Sequence, residues 1–204
     1  LVGVLLLGIK FTAYFLTHSV AILTDALESI VNVVAGFIAL YSIYVAGKPR
    51  DDDHPYGHGK AEFLSAGIEG TLISLAGIWI IVESVDKLLN PAPIHKLDTG
   101  IILIGVSGLI NFIAGTVAVR TGRRNKSMAI TATGKHLKSD AYSTAGLVAG
   151  LLILYFTNIR WIDSAVALLF GAIIIYTGMV ILRKSIAGIM DEADEPLLKQ
   201  LVEL

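Results

Sequence analysis

Long apolar runs without a charged residue recur along this chain, and they constrain its fold more than any other feature. Ser29 to Gly47, Thr99 to Val119, Ala141 to Ile159 and Ser164 to Leu182 contain no Asp, Glu, Lys or Arg. Leu64 to Val82 is broken only by Glu69, and Leu1 to Thr17 only by Lys10. A helix needs about 20 such residues to cross a bilayer. Helices satisfy their own backbone hydrogen bonds, which makes them the natural spanning element where no water is present. The overall balance agrees: 54% of residues are hydrophobic and 16% charged, with a mean hydropathy of +0.73. The fold class expected is therefore all-α, a six-helix membrane protein with helices near 1–16, 18–47, 60–89, 98–121, 130–157 and 161–187.

The breaks between these runs have local causes. Asn90-Pro91-Ala92-Pro93 and Gly47-Lys48-Pro49-Arg50 end the third and second helices, because proline lacks an N–H and pushes the preceding residue out of helical geometry. Six spans put both ends of the domain on one side. Lys48, Arg50, Lys60, Arg120, Arg123, Arg124, Lys126, Arg183 and Lys184 fall on that side, against Lys87, Lys96 and Arg160 on the other. The positive-inside rule then makes both termini cytoplasmic, with the inner cell membrane as the expected location. The first helix starts so abruptly that a longer N-terminus is expected. Residues 1–190 read as the membrane domain. Residues 191–204, opening with Asp191-Glu192-Ala193-Asp194-Glu195-Pro196, read as the start of a cytoplasmic C-terminal domain.

Several function classes drop out at this point. The net charge is −1, and its cations are divided among short loops, so no basic face for nucleic acid is expected. No cysteine is present, which excludes disulfides and thiolate metal sites and leaves His, Asp, Glu, Asn or backbone oxygen as ligands.

Three constellations carry candidate chemistry. In the second helix, Asp25, Glu28 and Asn32 are spaced by three and four and share a face; an ionisable group there must be paired, hydrated or metal-bound. Those carboxylates could instead satisfy a buried lysine or hydroxyl, and Lys10 is placed to pair with one of them. At the start of the fifth helix His136 and Asp140 again differ by four. Together the two helices can offer four ligands to a borderline divalent cation. Between the second and third helices, Asp51-Asp52-Asp53-His54-Pro55-Tyr56-Gly57-His58-Gly59-Lys60 packs carboxylates and imidazoles into one short loop. The alternatives there are a solvated acidic turn and a backbone wrap holding Asp51, His54 and His58 on one ion. Glu69, Asn111, Ser143 and Thr144 read as contacts between helices, and Asp163 as a group favoured by a helix N-terminal dipole.

His-Pro-Tyr-Gly-His-Gly-Lys-Ala-Glu from His54 to Glu62, His-x-x-x-Asp from His136 to Asp140, and Leu-Leu-Asn-Pro-Ala-Pro from Leu88 to Pro93 resemble the cation diffusion facilitator family across nearly the whole chain. That resemblance implies a homodimer with a cytoplasmic metal-binding domain, exporting zinc, iron, manganese or cobalt in exchange for protons. The divalent cation would be its substrate, and no organic cofactor is expected. It implies transport-site ligands at Glu28, Asn32, His136 and Asp140, and a second metal site at Asp51, His54 and His58. It also implies a salt bridge between Lys60 and Asp191 near the dimer interface. The chain departs from the family's usual His-x-x-x-Asp or Asp-x-x-x-Asp in the second helix by carrying Glu28-x-x-x-Asn32. An amide in place of a carboxylate removes one negative charge, which Asp25 as an auxiliary or a water would make up, and the oxygen-rich set opens the site to manganese or ferrous iron rather than zinc alone.

On this reading His136 couples transport to protons, since neutral imidazole binds metal and imidazolium does not. A membrane metalloenzyme using the same ligands to activate water is the competing reading, but no His-Glu-x-x-His helix or nucleophile–base pair is present. An ion channel would need a ring of identical groups or a filter loop, and neither is evident.

Overall fold

The computed structural model describes residues 2–90, 94–125, 128–159 and 161–192. Within them are six α-helices and no strand: α1 (Val2–Thr17), α2 (Val20–Ala46), α3 (Lys60–Leu89), α4 (Leu97–Arg124), α5 (Met128–Thr157) and α6 (Trp161–Ile189). Five of these, α2 to α6, are long and apolar enough to cross a membrane, while α1 is a shorter apolar helix. The helices agree with the sequence expectation to within a few residues. Pro91 to Pro93 of the expected break after α3, Arg160, and the acidic segment beyond Glu192 lie outside the described residues.

Residues with positive φ mark helix ends. His18 (φ 57°) separates α1 from α2, Lys96 (φ 43°) precedes α4, and Asn158 (φ 53°) and Asp191 (φ 54°) follow α5 and α6. Such a conformation stops the helical ladder, and asparagine and aspartate tolerate it better than most residues.

The helices divide between two compact units, one of residues 1–30 and 76–173, the other of residues 31–75 and 174–204. In the first, Ile22, Ile80, Ile104, Leu147 and Leu151 form a core shielded almost completely from solvent. In it α4 and α5 approach closely where Gly115 and Gly134 meet. A Cβ added at Gly134 would come within 2.6 Å of the Val119 nitrogen and 2.8 Å of the Gly115 carbonyl. Only missing side chains allow backbones this near, the usual means of close helix packing in lipid. The second unit uses the same device at Gly70 and Gly178, where an added Cβ on either would stand 2.8 Å from the other's carbonyl. Ser185 strengthens that unit by donating to the Phe63 carbonyl at 2.6 Å.

Outside these cores, large apolar side chains stand exposed along the helices, among them Leu5, Phe37, Leu40, Trp79, Ile102 and Tyr176. A soluble protein does not leave so much apolar surface in water. Lipid is the solvent that this surface fits.

Asp163 ties the start of α2 to α6. It sits in the first turn of α6, where the dipole argument puts it, yet its carboxylate serves the other helix. It accepts hydrogen bonds from the Ser19 hydroxyl, the Val20 amide at 2.8 Å and the Ala21 amide at 3.3 Å. Ser19 Oγ in turn accepts from the Ile22 amide at 3.2 Å. These are the orphan donors of a helix N-terminus, satisfied by a residue from elsewhere in the chain. Asp163→Ala should orphan three buried donors and destabilise the fold by about 2–4 kcal/mol, seen as a large drop in thermal midpoint in detergent. A midpoint unchanged from the native protein would contradict the capping role.

Candidate functional site

Within the first unit, α1, α2 and α5 bring ionisable groups together inside the apolar span. Lys10, only 2% exposed, donates to Asp25 Oδ1 at 2.9 Å and to Ser29 Oγ at 2.8 Å. The Thr144 hydroxyl reaches the same Asp25 oxygen at 3.2 Å. The partner of Lys10 is thus Asp25, and Thr144 makes the interhelical contact expected of it. Asp25 Oδ2 is buried with no hydrogen-bond partner among the described residues. Asn111 is also buried, and its Oδ1 likewise lacks one.

One turn after Asp25, Glu28 is half-buried and lies within electrostatic range of Asp140, Asp25 and Lys10. On α5, His136 Nε2 stands 3.7 Å from Asp140 Oδ2, the imidazole largely exposed and the carboxylate 17% exposed. Asp140 in turn feels the charges of His136, Lys10 and Asp25. Glu28, His136, Asp140 and Asp25 thus belong to one compact unit and are linked by their charges, but among the described residues only Asp51, His54 and His58 bring three such ligand atoms within 4.8 Å of one another. Asn32 lies four residues beyond Glu28 on α2, half-buried, in the stretch that belongs to the second unit.

The loop before α3 gathers three more ligand types. The Gly57 amide donates to the His54 carbonyl at 2.9 Å, closing a turn with Pro55 at its second position, where a fixed φ is favoured. Gly57 itself has φ +88°, open to glycine at no steric cost. The wrapped backbone sets Asp51 Oδ1 2.8 Å from His54 Nδ1 and Asp51 Oδ2 3.5 Å from His58 Nε2. One ligand atom from each of Asp51, His54 and His58 lies within 4.8 Å of the other two, spacing that a single ion could draw in. His58 Nδ1 is buried and, among the described residues, unpartnered. The hydrogen bond from His54, with the nearby imidazoles, holds the Asp51 carboxyl below the usual carboxylate range, so it stays an anionic ligand after the imidazoles protonate.

Lys60 and Asp191 meet in the second unit at 2.8 Å, and Lys60 also donates to the Ile189 carbonyl at 2.9 Å, at the C-terminus of α6, where a cation is favoured. Both side chains are mostly exposed, so the pair adds little stability by itself. The network around Lys10 and the Asp163 cap do not emerge from the sequence as assembled sites. Their residue types are visible in it, but not which helix each reaches.

Residues 1–190 match the sequence family described as the cation efflux transmembrane domain. An uncharacterized transporter of Synechocystis sp. is 35% identical over 196 residues, 96% of this chain and 63% of the relative. The metal cation efflux system protein CzcD of Cupriavidus metallidurans is 30% identical over 185 residues, 88% and 57% of the two chains. The cation-efflux pump FieF of Citrobacter koseri is 28% identical over 189 residues, 93% and 63% of the two chains. This chain thus spans about three-fifths of the length of the relatives it matches.

Proposed function

This chain belongs to the cation diffusion facilitator family, and from that premise we propose that it exports divalent metal cations in exchange for protons. The family is one of transporters rather than enzymes, which sets the metalloenzyme reading aside, and the chain is an integral multi-pass membrane protein. The observation that supports the proposal most is that Glu28 of α2 feels the charge of Asp140 of α5, beside which His136 stands at 3.7 Å, so that α2 and α5 each supply a carboxylate. We assign the transport site to Glu28, Asn32, His136 and Asp140, with Asp25 beside it. The cation enters from the cytoplasm, is held by these ligands, and leaves on the far side as helices rock and protons displace it. Protons compete directly, because His136 ligates only when neutral. Zinc, manganese and ferrous iron all suit a set of three oxygens and one imidazole.

Residues 1–190 are the transport domain on this reading, and residues 191–204 lead into a cytoplasmic one. Two copies pair, with Lys60 and Asp191 bracing the cytoplasmic ends of α3 and α6 close to the interface. Reconstituted in liposomes, the protein should move protons outward from the lumen only when a divalent ion is supplied, and with no hydrolytic activity. Metal uptake with no linked proton movement would overturn the antiport mechanism.

The neutral Asn32 carries a prediction about selectivity. Asn32→Asp restores a carboxylate, so zinc affinity by titration calorimetry should rise about tenfold, one added charge in a low-dielectric site. Unchanged affinities for zinc, manganese and iron would show that Asn32 is not a ligand.

The loop site modulates transport. An ion on Asp51, His54 and His58 outside the membrane is not the one crossing, but it fixes the angle at which α2 hands over to α3. His54→Ala with His58→Ala should remove one bound zinc per protomer and slow turnover several-fold without stopping it. Unaltered zinc stoichiometry in the double variant would mean that the loop is only a solvated turn.

A further inference from the structure

We infer that Lys10 is a built-in counter-cation that sets the charge of the transport site, leaving it two negative charges for a divalent cargo to neutralise. The inference rests on the transport-site reading above and concerns a residue to which that reading assigns no role. A lysine buried within an apolar helix of a membrane domain is rare and costly, and such residues mark function more often than structure. Stability alone is a poor reason to keep it, since a buried ion pair is often no better than a packed apolar pair. Lys10 is nonetheless held firmly, by Asp25 at 2.9 Å and Ser29 at 2.8 Å, and its charge reaches both Glu28 and Asp140.

The charge count follows from these contacts. With cargo bound, Glu28, Asp140 and Asp25 are all carboxylates, and Lys10 cancels one of the three. A divalent cation cancels the other two, and a neutral loaded site is the state that low dielectric penalises least. Asp25 is divided between the two cations: Oδ1 is taken by Lys10 and Thr144, while Oδ2 is buried with no partner among the described residues. Without Lys10 the site carries an extra negative charge and holds the ion too tightly to release it. With Lys10 kept and Asp25 neutralised, the site is too weakly negative to capture one.

Titration calorimetry with Zn²⁺ tests this on the full chain in detergent, with His54→Ala and His58→Ala present throughout so that only the membrane site responds. Asp25→Asn should weaken Zn²⁺ binding about tenfold or more, and adding Lys10→Met to it should return affinity to within about threefold of the starting protein. Lys10→Met alone should bind Zn²⁺ at least about tenfold more tightly and turn over more slowly in liposomes. The comparison of Asp25→Asn with the Asp25→Asn, Lys10→Met pair leaves no unpaired buried carboxylate at position 25, so it decides the matter even if Lys10→Met alone does not fold. If the paired variant binds no more tightly than Asp25→Asn, Lys10 does not set the site's charge and the inference falls. Asp140→Ala titrated alongside separates the two claims. Retained Zn²⁺ binding in that variant overturns the transport site itself, whereas lost binding without rescue by Lys10→Met overturns only the role of Lys10.

Discussion

Replacing Asp140 by Ala lowers metal flux in proteoliposomes by about a hundredfold or more while the protein remains folded. Even residues that merely orient metal ligands cost about 10–100-fold when removed, and Asp140 is a proposed ligand that brings charge to the site from a carboxylate only 17% exposed. Its carboxylate stands 3.7 Å from the His136 imidazole and within electrostatic range of Glu28, so its loss removes one wall of the site and one of its negative charges. Folding should survive, because alanine is the best helix former and removing a buried carboxylate removes a desolvation penalty. Gel filtration and a thermal midpoint near the native value check that. Flux close to native in a folded Asp140→Ala protein would sink the assignment of the transport site.

His136→Ala loses proton coupling as well as affinity. In the native protein a metal ion and a proton compete for the imidazole, since protonation removes the nitrogen lone pair. A variant with no imidazole has no such step. Its residual flux, reduced about tenfold or more by loss of a ligand, should no longer respond to an imposed proton gradient. Flux measured at a series of pH values on the two sides of the membrane provides the check. The same pH dependence as the native protein would assign coupling to another group.

The helices are legible in the sequence because membrane spans depend on composition over a window and on proline and glycine breaks, both of which are local. The loop turn is legible for the same reason: Pro55 and Gly57 specify the bend that carries Asp51, His54 and His58 together. Helical spacing alone likewise sets Asp25 and Glu28 on one face of α2, and His136 and Asp140 on one face of α5. What spacing leaves open is which helix lies opposite. Lys10 has Asp25 and Glu28 within plausible reach, and only the register of α1 against α2 selects Asp25. Asp163 belongs to the first turn of one helix but caps another, a pairing across 144 positions of sequence from Ser19 that no local pattern encodes. In both cases the residue type announces a buried polar group that must find a partner, and the fold chooses the partner.

The departure at Glu28 and Asn32 gives the site its individual character. A carboxylate followed by an amide supplies oxygen ligands but one charge fewer than two carboxylates would, and the Lys10–Asp25 pair lies directly beside it. On the proposed assignment, charge at the site is adjusted in two places, once by the neutral Asn32 and once by the ammonium of Lys10.

Anomalous diffraction from crystals of the full chain grown with Zn²⁺ tests the central claim most directly. The transport-site assignment predicts an anomalous peak between α2 and α5, about 2.0–2.1 Å from the His136 imidazole and about 2.0–2.2 Å from an Asp140 oxygen, in addition to any peak at the loop. A peak at Asp51, His54 and His58 alone, with none beside His136 and Asp140 at saturating Zn²⁺, would contradict it.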